Sequence, residues 1–295
     1  MKTTSKLFTP TPPAIISASI ACRIAKTPKF VLTRHVLFPL KSFYRFALGN
    51  LSKAIAVSSA VEATLQKIFP REKTRLILNG TDVEFLAQNT RASDKRSLQQ
   101  NLQISPNTFL VGTVGELKIG KGQDLFLQAA AQIVKKLPNA HFIVAGTDNF
   151  PQKTFEKHLN ILMNQLEIIE NVHLVGWVED VGALMRGLDI FVSAARTEPF
   201  GLVIIEAMAS GTMVIATETA GASEILRNGE TGKLIPLENP ASLAEAIVEI
   251  LREEKMREKF CRNAQAEAKT KFDLTTMIIE TEKIYNEVLS VDKPK

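Results

Sequence analysis

The sequence predicts an α/β protein with a complete, doubly wound parallel sheet that follows a partial Rossmann-like lobe. From residue 108 onward, short apolar runs alternate with longer amphipathic stretches, which is typical of strands and helices in βαβ units. The same alternation occurs earlier, but it is too short for a full sheet. Hydrophobic residues make up 45% of the 295 positions and charged residues 23%, a balance typical of globular proteins with room for two domains.

The first 80 residues predict three strands. Residues 1–13 contain Thr-Pro-Thr-Pro-Pro and are predicted to form a loop or a frayed terminus. Ser58 or Ser59 is placed to cap the helix that follows the second strand. The predicted helices and strands, in chain order, are helix 14–25, strand 29–33, helix 40–50, strand 54–58, helix 59–68 and strand 75–78.

The rest of the chain predicts six more strands separated by helices, a pattern that favours a parallel sheet. The predicted strands are 108–114, 141–145, 172–175, 188–193, 213–216 and 233–235. The predicted helices are 91–103, 123–137, 154–166, 181–186, 202–209, one beginning at Ser223, 240–253, 255–271 and 274–288. The predicted domains are residues 1–89, residues 90–272, and a C-terminal segment, 273–295, whose helix returns to the first lobe.

The strongest functional pattern follows the buried strand at residues 188–193. Pro199 and Gly201 break that strand, and a helix then begins, with Glu198 in the loop and Glu206 about two turns later. Loops at the carboxyl ends of parallel strands bind ligands in open α/β sheets, and helix N-termini suit phosphate or hydroxyl oxygens. The two carboxylates are placed to accept hydrogen bonds from a polyol. The alternative is a dipole-favoured Glu followed by a solvated helix Glu.

A second candidate residue is Lys121, which lies between Gly120 and Gly122 just before a helix. Glycines allow a backbone to approach an anion closely, and a lysine there would neutralise a diphosphate. A solvated loop lysine is the alternative interpretation. The sequence contains no Asp-x-Asp pair, so we expect a metal-independent site.

Together these motifs resemble one known family. Glu-Pro-Phe-Gly-Leu at residues 198–202, with a second Glu at position 206, resembles the donor-site signature of retaining GT-B glycosyltransferases of family four. The resemblance continues through residues 207–211, 217–224 and 228–232. It covers residues 105–251 well and 12–85 more loosely.

The resemblance implies a GT-B-like fold and a retaining transfer of a sugar from a nucleoside-diphosphate sugar. The acceptor would be a saccharide or a lipid-linked molecule, in polysaccharide or glycolipid synthesis, with no cofactor beyond the donor itself. The alternative is a non-catalytic or split donor-binding fragment that needs a partner chain.

The resemblance also implies roles for individual residues. Glu198 would contact the transferred sugar, and His35, at the end of a first-lobe strand, would orient it. A surface or capping His35, and a core or crevice Trp177, are the alternatives. The implied substrate-binding residues are Lys121 for diphosphate, Glu206 for ribose, Phe200, Gly201 and Leu202 for sugar and phosphate, and Trp177 and Val178 for the base.

The sequence departs from the family in two places. Glu116 stands where the family has an arginine five residues before its lysine, so this carboxylate must turn away, or Lys118 or another cation must substitute for the arginine. The first lobe also lacks the glycine-rich opening of the family. We therefore expect a set of apolar side chains to need cover from another chain, a second copy or a membrane: Ile15, Ile16, Ile20, Phe30, Val31, Leu32, Ile55 and Val57.

Charge is distributed unevenly along the chain. Residues 1–90 contain 13 Lys and Arg against 4 Asp and Glu, whereas the remainder contains 23 against 27. The basic part favours peripheral contact with the inner face of a membrane or a generic solvated surface; no nucleic-acid-binding motif accompanies it. Cys22 and Cys261 form no disulfide or metal pattern, which favours a cytoplasmic setting.

Overall fold

The structure, a computed structural model, describes residues 15–24, 29–38, 43–88 and 90–290. The predicted N-terminal loop, residues 1–13, and the predicted boundary at residue 89 lie outside these described ranges. The chain divides into two compact units. The first consists of Met1–Gly80 with Lys271–Lys295, and the second of Thr81–Thr270.

Helices and strands alternate along the described chain, which confirms the predicted α/β class. The strands are β1 Val31–Arg34, β2 Lys53–Ala56, β3 Thr74–Leu76, β4 Phe109–Val114, β5 Ala140–Ala145, β6 Val172–Gly176, β7 Ile190–Ser193, β8 Met213–Thr217 and β9 Lys233–Ile235. The helices are α1 Ile15–Ile24, α2 Phe43–Ala47, α3 Ser59–Gln66, α4 Val83–Leu86, α5 Arg91–Asn101, α6 Gln123–Val134, α7 Thr154–Gln165, α8 Val181–Gly187, α9 Leu202–Ala209, α10 Ala220–Ile225, α11 Pro240–Arg252, α12 Glu254–Lys271 and α13 Leu274–Ser290.

The first unit contains a parallel sheet in the order β1-β2-β3. The hydroxyl of Ser58 accepts a hydrogen bond from the Val61 amide at 3.2 Å, which confirms the predicted cap of α3. The C-terminal helix α13 contributes Ile284 and Val288 to a cluster of buried residues that includes Val31 and Ile55. Apolar side chains from both ends of the sequence therefore form the core of this unit.

The expectation that this lobe leaves its apolar residues uncovered is wrong for most of them. Phe30, Val31 and Leu32 are fully buried, and Ile55 and Val57 are 2% exposed. For Val31 and Ile55 the physical reason is that α13 supplies apolar cover that the expectation did not count. Ile16 is half-buried, half of the surface of Ile20 is exposed, and the side chain of Ile15 lies outside the described part of the structure.

The second unit contains a six-stranded, wholly parallel sheet in the order β6-β5-β4-β7-β8-β9. The chain order reverses direction between β4 and β7, which are neighbours in the sheet. Such a reversal is the topological switch point at which open α/β sheets bind their ligands. The loops that leave β4 and β7 are therefore the expected walls of a site.

An extended cluster of buried side chains forms much of the described core of this second unit. Phe126 of α6 and Phe142 of β5 are fully buried and meet edge to face, with ring centroids 5.7 Å apart. Buried side chains of β7, β8 and α11 continue the cluster. The strands that end at this carboxyl edge are thus packed against helices through buried apolar side chains.

Two local features differ from the prediction. The short helix α4 was not predicted, although Asp82 caps it by accepting a hydrogen bond from the Phe85 amide at 3.0 Å. Helix α10 begins at Ala220 rather than at Ser223, because the Thr219 hydroxyl caps it. In both cases a side-chain cap sets the boundary.

None of the helices in the described part of the chain is both long enough and apolar enough to span a lipid bilayer.

Candidate functional site

The loops after β4 and β7 bring the two strongest candidate residues together. Lys121 Nζ lies 2.6 Å from Glu198 Oε2, although 77 positions separate them in sequence. The Glu198 side chain is 10% exposed and that of Lys121 is 27% exposed, so the pair is shielded but open on one side. A cation and a carboxylate thus face the switch point of the sheet.

Close backbone contacts fix the course of both loops. Gly122 has φ +70°, and a Cβ atom there would lie 1.9 Å from the Ala194 carbonyl oxygen in the facing loop. Gly201 has φ +112° and directly precedes α9. The Gly221 amide donates a hydrogen bond to the Glu198 carbonyl at 3.0 Å. Glycine is required at position 122 because a side chain would clash with the neighbouring loop.

The backbone positions predicted to support sugar and phosphate lie at the start of α9. Phe200 is buried and Leu202 is half exposed, so the aromatic ring anchors the loop while the first helical residue reaches the surface. The first turn of a helix directs backbone N–H groups toward its amino end. The N–H groups in the first turn of α9 can therefore act as hydrogen-bond donors beside the carboxylate of Glu198.

Glu206, the predicted ribose ligand, lies on α9 beside a cavity of about 420 Å³. Burial raises the pKa of its carboxyl group above the ordinary value. The cavity is lined by residues from α4, α8 and α9 and the segments before them: Thr81, Asp82, Phe85, Leu86, Glu179, Asp180, Val181, Gly182 and Glu206. This cavity leaves space for a ligand next to the half-buried carboxylate of Glu206.

Glu116, which replaces the arginine of the family, is engaged by its neighbours. Lys118 Nζ forms an ion pair with Glu116 Oε2, and the Asn149 amide nitrogen lies 3.3 Å from Oε1. The hydrogen bond from Lys118, aided by charges that include Lys121, lowers the pKa of Glu116. Lys118 therefore neutralises this carboxylate.

The remaining predicted residues follow β6 and β1. Trp177 follows β6 and is 74% exposed, so it is not a core residue, while a crevice position and base stacking stay predictions. Val178 is half-buried beside it. His35 follows β1 in the first unit and is exposed.

Sequence reasoning missed Arg196 and Asp124. The Arg196 guanidinium binds the Asp124 carboxylate through two hydrogen bonds of 2.8 and 2.9 Å, and it also reaches the Ile119 carbonyl at 2.6 Å. The only sequence signal was the position of Arg196, two residues before Glu198. The carboxylate that it would meet lies 72 positions away.

Comparison with known proteins identifies the family. The chain matches the family described as "Glycosyl transferases group 1" over residues 94–267, which is more than half of its length. The chain belongs to the group 1 glycosyl transferases. Residues 7–85 match the family described as "Glycosyltransferase Family 4", so the predicted family is confirmed.

Two relatives of this group 1 glycosyl transferase are lipid- or lipopolysaccharide-related enzymes. It is 29% identical to the lipopolysaccharide core biosynthesis mannosyltransferase LpsB of Rhizobium meliloti (strain 1021), over 68% of this chain and 56% of LpsB. It is 30% identical to the phosphatidyl-myo-inositol mannosyltransferase of Mycobacterium leprae (strain TN), over 72% of this chain and 53% of that enzyme. The chain thus spans just over half the length of these relatives.

Solved structures show the same fold. The Anabaena protein Alr3699/HepE, in complex with UDP and glucose, superimposes with a TM-score of 0.86 at 27% identity, covering 95% of this chain and 77% of that one. The predicted GT-B-like fold of this glycosyl transferase is therefore confirmed.

Among the described residues, no group of three or more His, Cys, Asp or Glu side chains is arranged to hold a metal ion.

Proposed function

We propose that this chain binds a nucleoside-diphosphate sugar and transfers the sugar, with retention, to a saccharide or lipid-linked acceptor. The carrying observation is the Lys121–Glu198 pair, 2.6 Å apart at the switch point of the second sheet. A diphosphate needs a cation, and a sugar needs hydrogen-bond acceptors. This pair supplies both within one site.

Lys121 would act on the leaving group. As the bond between the anomeric carbon and the diphosphate oxygen breaks, negative charge grows on the diphosphate, and a fixed cation stabilises that charge. Glu198 would exchange its contact with Lys121 for hydroxyl groups of the transferred sugar. Glu206 would accept hydrogen bonds from both ribose hydroxyls, and the backbone near Trp177 and Val178 would face the base.

The retaining course needs little general base chemistry. The acceptor oxygen would attack from the face that the diphosphate leaves, and the departing diphosphate would take the acceptor proton. The new bond joins the anomeric carbon to the acceptor oxygen. Positioning and charge stabilisation then carry the catalysis, and His35 would orient the sugar.

Relatives support a lipid-linked or saccharide acceptor, because two of them are named as mannosyltransferases of lipopolysaccharide core and of phosphatidyl-myo-inositol. The Anabaena neighbour was solved with UDP and glucose, which supports a nucleotide-sugar donor. A cytoplasmic location, with contact between the basic first unit and the inner face of a membrane, is consistent with such acceptors.

A second candidate function is donor binding without unaided transfer. The first unit contains a sheet of three described strands, and the chain spans just over half of its curated relatives. In that case the acceptor side would come from a partner chain. The donor site in the second unit would be unchanged.

Calorimetry on the full chain tests the donor site. UDP-glucose, GDP-mannose and ADP-glucose are titrated into the wild type, Lys121→Ala and Glu198→Gln, with the exposed Lys136→Ala on the same unit as a control. Loss of a charge-assisted hydrogen bond costs about 1.5–3 kcal/mol, so either site variant should weaken donor binding about 10- to 150-fold. Lys136→Ala should bind like the wild type.

Equal affinity of all four proteins for every donor would contradict the proposed site. Release of sugar onto an added lipid or saccharide acceptor by the chain alone would exclude the second candidate. Donor binding without transfer would favour the second candidate.

A further inference from the structure

We infer that Arg196 is a positioning residue that holds the Lys121 loop against the Glu198 loop. The inference about loop structure stands on contacts of Arg196 alone. Its consequence for donor binding rests on the function proposed above. No sequence motif assigned a role to this side chain.

Arg196 contacts the Lys121 loop on both sides of the lysine. Its Nη1 donates to the Ile119 carbonyl at 2.6 Å, and its backbone amide donates to the Gly120 carbonyl at 3.0 Å. The same guanidinium forms a two-point bond with Asp124 in the first turn of α6. The segment that carries Lys121 is therefore held at its start and just after its end.

The guanidinium has little capacity left for a ligand. Its Nε donates to Glu238 at 2.7 Å, so four of its five N–H groups already have acceptors. The side chain is 23% exposed and bound to two carboxylates, which neutralise its charge. These contacts favour a role through neighbouring residues over direct contact with a diphosphate.

The position of Arg196 links this anchoring to the site. Glu198 follows it by two residues, and Lys121 lies between Gly120 and Gly122, so both loops are fixed through one side chain. The planar fork of arginine suits a two-point bond to a carboxylate, whereas lysine offers a single point of charge. Arg196→Lys should keep the charge and lose much of the anchoring.

Hydrogen exchange provides a test that does not depend on activity. We expect amides of residues 119–122 to exchange at least about tenfold faster in Arg196→Ala than in the wild type, and to an intermediate degree in Arg196→Lys. Amides of β5, in the core of the same unit, should be unchanged. The matched control is Arg186→Lys, which alters another buried pair, Arg186–Asp94 at 2.6 Å, outside both loops.

Donor binding by the same variants connects the loop to function. Arg196→Ala should weaken donor binding about tenfold, with partial recovery in Arg196→Lys, while Arg186→Lys should not change it. Unchanged exchange at residues 119–122 in Arg196→Ala would overturn the inference, even if Lys121→Ala still weakens donor binding. Faster exchange together with unaffected binding in both Lys121→Ala and Arg196→Ala would uphold the loop anchoring and contradict the proposed donor site.

Discussion

The described loops at the carboxyl edges of the two sheets differ in their side-chain contacts and their exposure. In the second unit, the loops after β4 and β7 are joined by the Lys121–Glu198 and Arg196–Asp124 ion pairs. In the first unit, the segment after β1 presents exposed His35 and Phe38. Ion pairs therefore join the loops of the donor side of the proposed site, whereas His35 is exposed at the end of β1.

The described clusters of buried residues in the two units differ in size. The second unit has one extended cluster that joins β4, β5, β7 and β8 to their helices. The first unit has a cluster of five buried residues, two of which come from α13. We expect the larger of these two described clusters to be the more rigid.

The largest expected effect tests that difference in rigidity with one substitution made twice. Ile190 of β7 and Ile55 of β2 are both buried, at 0% and 2% exposure. Ile190→Ala should lower the free energy of unfolding by about 4 kcal/mol and Ile55→Ala by about 2 kcal/mol, because the smaller cluster collapses more easily around a cavity. Denaturant unfolding followed by circular dichroism measures both. Equal losses would show that the two cores are equally rigid.

The next largest effect concerns the two glycines around Lys121. At Gly122 a methyl group would meet the Ala194 carbonyl and φ is positive, whereas nothing lies within 4 Å of a Cβ built at Gly120. Gly122→Ala should cost about 2–4 kcal/mol of stability and abolish donor binding. Gly120→Ala, the matched control, should change stability by less than about 0.5 kcal/mol. A benign Gly122→Ala would mean that the loops are not closely packed.

The sequence predicted the loops that carry Lys121 and Glu198 well, because the residues that indicate these loops are close together in the sequence. Pro199 and Gly201 end a strand, and Gly120 and Gly122 surround the lysine, so periodicity and chain breakers predicted both loops. Parallel strands then bring their carboxyl ends to one edge. The meeting of Lys121 and Glu198 follows from that topology.

Other features depend on contacts that no local pattern records. Arg196 meets Asp124 across 72 positions, and Val31 is covered by Val288 from the far end of the chain. The exposure of Trp177 likewise depends on what surrounds the end of β6. Tertiary packing decides such features, and a single sequence does not display it.

The third prediction concerns Glu206, whose pKa burial raises above its usual 4.5. The folded state then binds more protons than the unfolded state, so stability falls as the pH rises from about 4.5 through the folded pKa. Glu206→Gln should remove this fall and be more stable than the wild type at neutral pH. The comparison of urea unfolding curves at several pH values measures it.

The substitution Glu206→Gln, which should raise stability, should lower the affinity for the donor. Ribose hydroxyls donate to the ionised carboxylate, so Glu206→Gln should weaken nucleotide binding at neutral pH by about 1 kcal/mol. The difference in nucleotide-binding free energy between the wild type and Glu206→Gln should vanish at low pH. Because the ligand phosphate titrates equally in both measurements, its contribution cancels in this difference. A pH-independent difference would remove the carboxylate from the ribose site.

The smallest expected effect lies at Glu116, a carboxylate in the loop after β4. Glu116 forms an ion pair with Lys118, and the positive charge of Lys121 also acts on the Glu116 carboxylate. Glu116→Arg would release Lys118 and add a cation near the diphosphate, so donor binding should strengthen by about 0.5–1 kcal/mol, roughly two- to fivefold.

Two controls separate the causes of that gain. Glu116→Gln removes the negative charge and frees Lys118 without adding a cation, so it should give a smaller gain than Glu116→Arg. Because these groups are partly exposed, both gains should shrink when calorimetry is repeated at high salt. Weaker binding by Glu116→Arg would show that the Glu116–Lys118–Asn149 contacts shape the loop after β4, and that this part of the donor side is held by the carboxylate rather than opposed by it.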